Sequence, residues 1–141
     1  MTIDEAKAEL QSIRALQSRI NERKRRLLSL RNSTQSVRIA RYGESVGSTD
    51  KDRVERCLDS LKEIEEQLLR DIPRLEALKA EIVTKIEVLP YPYCEVLARR
   101  YVSGEPIKVI AQLMHYERRY LYKVHDKGVE QYAKIDTKRH N

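Results

Sequence analysis

The side chains best placed to do chemistry lie near the C-terminal end of this 141-residue chain. A helix running roughly from Glu117 to Tyr132 puts Leu121, Val124, Gly128 and Val129 on its inner face. Glu117, Arg118, Arg119, Tyr122, Lys123 and Asp126 then point outward. A guanidinium offers paired donors that match a guanine edge or a phosphate, so Arg118 and Arg119 are the candidates for those contacts. Glu117 can accept from a cytosine amine. Lys123, Lys127 and Lys108 suit phosphates, which position a duplex without reading its sequence. Taken singly, each of these is also ordinary surface charge. Tyr120 and Tyr132 read as packing residues rather than base-stacking ones.

Other chemistry is poorly provided for. His115, His125 and His140 are scattered, no Gly-rich phosphate loop is present, and no Ser/His/Asp order or metal-ligand pair at helical spacing occurs. Cys57 and Cys94 are too few for a disulfide framework and lack metal-site spacing. The expectation is a protein that is not an enzyme and holds no cofactor or metal. Cys57 falls on an apolar stripe and reads as a small core residue. Arg23-Lys24-Arg25-Arg26 resembles a nucleic-acid patch, but also fits a solvated helix face opposite an acidic partner helix. Lys138-Arg139-His140-Asn141 reads as a frayed tail.

The elements that must position the C-terminal residues differ along the chain. Lys and Arg number 28 against 22 Asp and Glu, a net +6, and the balance shifts from +6 over residues 1–43 to −4 over 44–89 and +4 over 90–141. Seven of the eight tyrosines lie between Tyr91 and Tyr132, and Phe and Trp are absent. The first 89 residues must therefore pack through aliphatic seams, and a boundary between a segment 1–89 and a segment 90–141 is expected near Leu89-Pro90. A basic balance allows nucleic acid as a partner without requiring it. With 35% charged residues and a mean hydropathy of −0.66, no segment is apolar enough for a membrane span. Met1 also leads into Thr2-Ile3-Asp4-Glu5 with no apolar run behind it, so a cytoplasmic location is expected.

Thr2 with Glu5 three residues later is a capping box. From there Ile3, Ala6, Leu10, Ile13, Gln17, Ile20, Lys24 and Leu27 step by 3 and 4, a heptad spacing with two polar interruptions. Turn chemistry at Asn32-Ser33-Thr34 and Gly43 to Thr49 predicts a loop over about 32–49. Thr49 or Asp50 would then cap a second long helix. Its stripe is Val54, Cys57/Leu58, Leu61, Ile64, Leu68, Ile72, Leu75, Leu78, Ile82, Ile86 and Leu89. Pro73 predicts a kink or restart within it, since an interior proline removes a donor and clashes with the preceding turn. A basic and an acidic heptad helix joined by a loop make a long antiparallel helical hairpin, coiled-coil-like, in an all-α fold. Spare apolar positions at Leu28, Leu30, Leu69 and Val83 predict that a second copy, in a homodimer, or the C-terminal unit packs against it.

Beyond Leu89-Pro90-Tyr91-Pro92, one helix would run through Leu97 to Val102 and stop at Ser103-Gly104. Glu105-Pro106 opens another, with Ile107, Ile110, Ala111 and Met114 on one face, and a tight turn at His115-Tyr116 leads into the last. Two short helices joined this way describe a helix-turn-helix. Ala111 is the small residue needed where the two cross, and Ile110, Met114, Tyr116, Leu121 and Val124 fall at its apolar contacts. An ordinary three-helix packing unit would use the same pattern.

Leu97-Ala98-Arg99-Arg100-Tyr101-Val102-Ser103-Gly104, followed by Val109-Ile110-Ala111-Gln112-Leu113-Met114, resembles the fourth region of sigma factors. It is more closely similar to the ArpU/RinA-like late regulators of phages of Gram-positive bacteria, and Val46-Gly47-Ser48-Thr49-Asp50-Lys51 looks like a loop those proteins carry. The resemblance implies a sigma-region-4-like helix-turn-helix that binds double-stranded DNA and regulates phage or prophage transcription. The hairpin would then be a dimerisation or RNA-polymerase-facing arm. Two positions depart from the family pattern: His115 stands where Gly is usual, and Glu117 where Ser caps the second helix. A protein–protein adaptor that binds no DNA is the alternative, and a packaging-type small subunit a third reading.

Overall fold

Thr2 opens the first helix as its spacing predicts: the Glu5 amide donates to Thr2 Oγ1 at 3.1 Å and the Ala6 amide to the Thr2 carbonyl at 2.9 Å. The computed structural model describes the backbone of residues 1–41 and 48–139, and the side chains of residues 1–34 and 51–135. Most of the described residues are helical and none lies in a strand. α1 is Ile3–Arg41, α2 Ser48–Glu87, α3 Tyr93–Leu97, α4 Ile107–Met114 and α5 Arg118–Arg139, with a π-helical turn Ala98–Val102 following α3. No described helix is long and apolar enough to cross a membrane.

α1 corrects the expected loop. Asn32-Ser33-Thr34 is helical, and the helix continues to Arg41. Thr34 is buried and its hydroxyl donates to the Leu30 carbonyl at 2.8 Å, so the side chain is satisfied inside the helix instead of diverting the backbone into a turn. No Gly or Pro intervenes before Gly43. Residues 42–47 of the expected loop lie outside the described residues. Ser48 to Lys51 belong to the start of α2, so Thr49 and Asp50 are inside the helix rather than ahead of it. α2 passes through Pro73 without a restart. The carbonyl that loses its donor there belongs to Leu69, on a turn whose side chain is 75% exposed, where water can replace the missing bond.

The chain divides into two compact units, one of residues 1–16 with 75–141, the other of residues 17–74. In the second, α1 and α2 run antiparallel, because Arg23 pairs with Asp71 while Arg31, two turns further along α1, pairs with Glu65, earlier in α2, at 3.2 Å. Ile20, Val54, Ile64 and Leu68 are buried in this unit. The inner line of α1 proceeds Leu16, Ile20, Arg23, Leu27, Leu30, Thr34, not through Gln17 and Lys24. A straight helix drifts by about 20° per heptad against a strict 3.5-residue repeat, which carries Lys24 into solvent and brings Arg23 in. The same drift in α2 leaves Ile72 exposed and buries Asp71. The two polar residues thus meet within the apolar seam. Of the basic run, Arg25 binds Glu22 on its own helix at 2.7 Å. Leu28 remains 61% exposed.

The other unit holds Ala6, Leu10, Ile13, Leu16, Leu75, Ile82, Ile86, Leu89, Val96, Leu97, Val129, Tyr132 and Ala133 as buried apolar side chains. Lys85 is buried among them, 5% exposed. Its ammonium donates to both oxygens of Glu9, at 2.9 and 3.2 Å, and lies 5.7 Å from the centre of the Tyr132 ring. Tyr132, fully buried, donates its hydroxyl to Glu9 Oε2 at 2.8 Å. One carboxylate on α1 therefore receives α2 and α5 together.

Breaking a buried ion pair leaves an uncompensated charge, whereas exchanging both partners for apolar side chains of similar size does not. Lys85→Met should lower unfolding free energy by about 2–4 kcal/mol, reduced from the fully buried case because the Glu9 side chain is 22% exposed. Glu9→Leu combined with Lys85→Met should recover more than half of that loss in urea denaturation. A double variant whose loss equals the sum of the two single losses would show that the pair is not coupled.

Candidate nucleic-acid interface

The residues singled out on the last helix depend on how α3, α4 and α5 meet. Pro92 precedes α3 and Pro106 precedes α4, and each carbonyl accepts the first helical amide, from Val96 at 3.0 Å and Ile110 at 3.1 Å respectively. The π-helical turn ends at Val102, and two residues on Gly104 takes a φ of 72°, open to glycine at little cost. Arg99 fastens this corner. Its guanidinium reaches Glu95 one turn back at 3.1 Å and Glu105, beyond the turn, at 3.3 Å. Hydrogen bonds to Glu95 and then Glu105 hold its pKa above the ordinary value. Arg100 adds a bond from Nη1 to the Glu105 carbonyl at 3.3 Å.

Val96, Ile110, Ala111, Leu121 and Val124 form one buried cluster, with Tyr93, Ile107, Met114 and Tyr116 packed against it. All six positions read from the sequence as contacts between the two short helices are in it. α5 packs on α3 at Gly128, where a Cβ would lie at ordinary contact distance, 3.4 Å from Tyr93 Cβ and 3.5 Å from Leu97 Cγ. α5 itself extends beyond Tyr132 to Arg139, so Lys138 and Arg139 are helical, while His140 and Asn141 lie outside the described residues.

Between α4 and α5 the chain makes a Schellman turn. The Tyr116 amide donates to the Ala111 carbonyl at 3.0 Å and the His115 amide to that of Gln112 at 3.4 Å. His115 occupies the left-handed position, φ 58° and ψ 42°. Tyr116 closes the turn against the cluster containing Ala111 and meets Tyr120 edge to face, ring centres 5.0 Å apart. Burial, followed by hydrogen bonding to Tyr91, raises the Tyr116 pKa. Glu117 starts α5 through its backbone, its carbonyl accepting the Leu121 amide at 2.9 Å.

Glu117, Arg118, Arg119, Tyr122, Lys123 and Lys127 are all exposed on α5, and Lys108 is exposed on α4. Tyr122, Lys123 and Asp126 lie three, four and seven residues beyond Arg119 and share a face of the helix with it. None of Lys108, Arg118, Arg119, Lys123 and Lys127 forms an ion pair among the described residues. The inward assignments of Leu121, Val124, Gly128 and Val129 hold. Tyr132 packs, but Tyr120 is 51% exposed. Among the described residues no group of three or more His, Cys, Asp or Glu side chains is placed to hold a metal.

The structure also supplies a role for His125. Its Nε2 lies 2.6 Å from the Tyr101 hydroxyl and its Nδ1 3.0 Å from Asp126 Oδ1, tying the π-helical turn to α5. Burial raises the Tyr101 pKa, with the Arg100 charge lowering it and Asp126 raising it. The Arg99 and His125 links went unread in the sequence. The acids spaced four before and six after Arg99 were the available signal for the first; nothing local marked the second.

No family model matches the chain, no curated protein matches it, and no solved structure does.

A left-handed conformation is unfavourable for a residue with a Cβ, and the His115 side chain is exposed. His115→Gly should therefore raise stability by about 0.5–1 kcal/mol, the strain relieved exceeding the entropy lost by adding glycine. Thermal denaturation measures this; a lower melting temperature in the variant would mean the imidazole makes a stabilising contact.

Proposed function

We propose that the protein is a sequence-specific DNA-binding regulator of phage or prophage transcription, acting in the bacterial cytoplasm through a sigma-region-4-like helix-turn-helix. The observation that carries this reading is the unpaired basic face of α5. Arg118, Arg119 and Lys123 stand exposed on a helix whose opposite face is locked into the α3–α4 cluster. Burying one side of a helix and presenting cations on the other is what major-groove recognition requires. The resemblance of residues 97–114 to sigma region 4 and the ArpU/RinA-like regulators supports the same assignment and the phage setting.

In this reading α5 enters the major groove. Arg118 and Arg119 contact guanine edges or phosphates, Glu117 and Tyr122 flank them, and Lys123, Lys127 and Lys108 hold phosphates. The hairpin serves as a dimerisation or RNA-polymerase-facing arm, and the exposed Leu28 and Leu69 side chains support a homodimer. A protein–protein adaptor that binds no DNA is the second reading. Val109 and Leu113 favour it, since they leave α4 with apolar side chains 37% and 52% exposed.

A base contact discriminates among sequences, at about 1–3 kcal/mol for a good bidentate pair, while a phosphate contact contributes to any sequence. Arg118→Ala or Arg119→Ala should weaken binding to the native site more than binding to random DNA. Lys123→Ala should weaken both alike and flatten the salt dependence by about one unit. Gel shifts across fragments of the surrounding genomic DNA identify the site and measure these differences. Wild-type affinity in all three variants would remove this face as the reader and favour the adaptor. Sedimentation should give a two-subunit mass at micromolar concentration, and a monomer that Leu28→Glu leaves unchanged would exclude the dimer.

A further inference from the structure

The second compact unit contains a cleft that the DNA reading does not use. Arg23 from α1 and Gln67, Arg70, Asp71 and Arg74 from α2 line a cavity of about 250 Å³. Arg23 is paired with Asp71, which is itself buried. Arg70 and Arg74, one turn apart on α2, form no ion pair among the described residues. Arg70 has Glu66 four residues before it, the favourable order for a pair on a helix surface, yet its side chain lines the cleft instead. Three guanidiniums against one carboxylate leave the lining with a charge of +2. Gathered on one concave surface, that surplus makes a positive potential that attracts an anion.

We propose that this cleft is a binding site for a phosphate dianion, either free or as the terminal group of a small phosphomonoester. Arg70 and Arg74 supply forked donors that match phosphate oxygens. Gln67 adds an amide donor, and Arg23, its geometry fixed by Asp71, adds further N–H groups from the facing helix. A phosphomonoester carries about −1.5 to −2 at neutral pH, which balances the surplus. A backbone phosphodiester of duplex DNA carries one charge and lies on a convex rod, so it satisfies the cleft less well. With about 30 Å³ as the share of one water, the volume holds several waters or one tetrahedral oxyanion with part of its ester. The cleft shares no residue with the α5 face, and either assignment can fail without the other.

Isothermal titration calorimetry of the full chain tests the assignment, with inorganic phosphate, adenosine 5′-monophosphate and adenosine as the probes and sodium chloride matching ionic strength. The variant is Arg70→Gln with Arg74→Gln, both exposed positions. Arg14→Gln with Arg56→Gln removes the same charge elsewhere on the surface, and circular dichroism checks that both fold. Wild type and the control pair should bind phosphate or the monophosphate, and the cleft variant should bind at least about tenfold more weakly, as the loss of charge-assisted hydrogen bonds implies. Tighter binding of the monophosphate than of phosphate would identify an ester as the occupant, and equal binding the free ion; both support the site. Two results would overturn it: neither phosphate nor the monophosphate giving more heat than adenosine, or undiminished phosphate binding by the cleft variant.

Discussion

The Glu9 carboxylate is the point on which the larger compact unit depends. It takes two bonds from the buried Lys85 ammonium and one from the Tyr132 hydroxyl, so two segments, each more than seventy residues from Glu9 in sequence, meet at its carboxylate. A buried lysine is tolerable only with such a partner, since desolvation of an unpaired ammonium costs several kcal/mol. The demand acts as a selection rule. An arrangement of α1, α2 and α5 that buries the same leucines and isoleucines but moves Lys85 away from Glu9 leaves a charge without an answer. Apolar side chains supply the driving force, roughly 1.5–3 kcal/mol for each one fully buried, but they accept many registers.

The second unit shows the same division of labour. Arg23 and Asp71 sit at seam positions that a hydrophobic pair could fill, and such a replacement is often neutral or stabilising. What the ion pair provides is a match between one position on α1 and one on α2. Polar residues at seam positions serve this purpose in coiled coils, fixing register at some expense in stability. Arg23 also stands at the edge of the arginine-lined cleft, so one residue shapes both the seam and its charged border.

Much of this organisation was legible in the residues. The contacts among Ile110, Ala111, Met114, Tyr116, Leu121 and Val124 follow from helical periodicity over short segments, where accumulated phase error is small. Gly104 and His115 took the left-handed positions that their places at the helix ends implied. Over the long helices the same periodicity loses phase. A strict heptad assigned Lys24 and Ile72 to the seam, where the straight helix places Arg23 and Asp71. Asn32-Ser33-Thr34 has the composition of a turn, but Thr34 can satisfy its own hydroxyl within the helix. Lys85 lies between Ile82 and Ile86 on the inner stripe, a visible anomaly, but its partners Glu9 and Tyr132 are distant in sequence and only tertiary packing joins them. On α5, exposure followed from the pattern; whether the exposed charges were already paired did not, because their neutralising partners could have come from any element.

Gly128 has a consequence for how freely this sequence can change. A Cβ at that position would meet Tyr93 and Leu97 at ordinary contact distances of 3.4 to 3.6 Å, so the first carbon of a side chain fits. Glycine inside a helix is about 1 kcal/mol less favourable than alanine. Alanine would therefore tighten α5 without displacing α3, whereas a branched side chain would force the two apart. The position holds an unspent margin of stability that a single substitution can draw on. A damaging change elsewhere in the α3–α5 cluster can be absorbed there, which widens the set of sequences open to this fold.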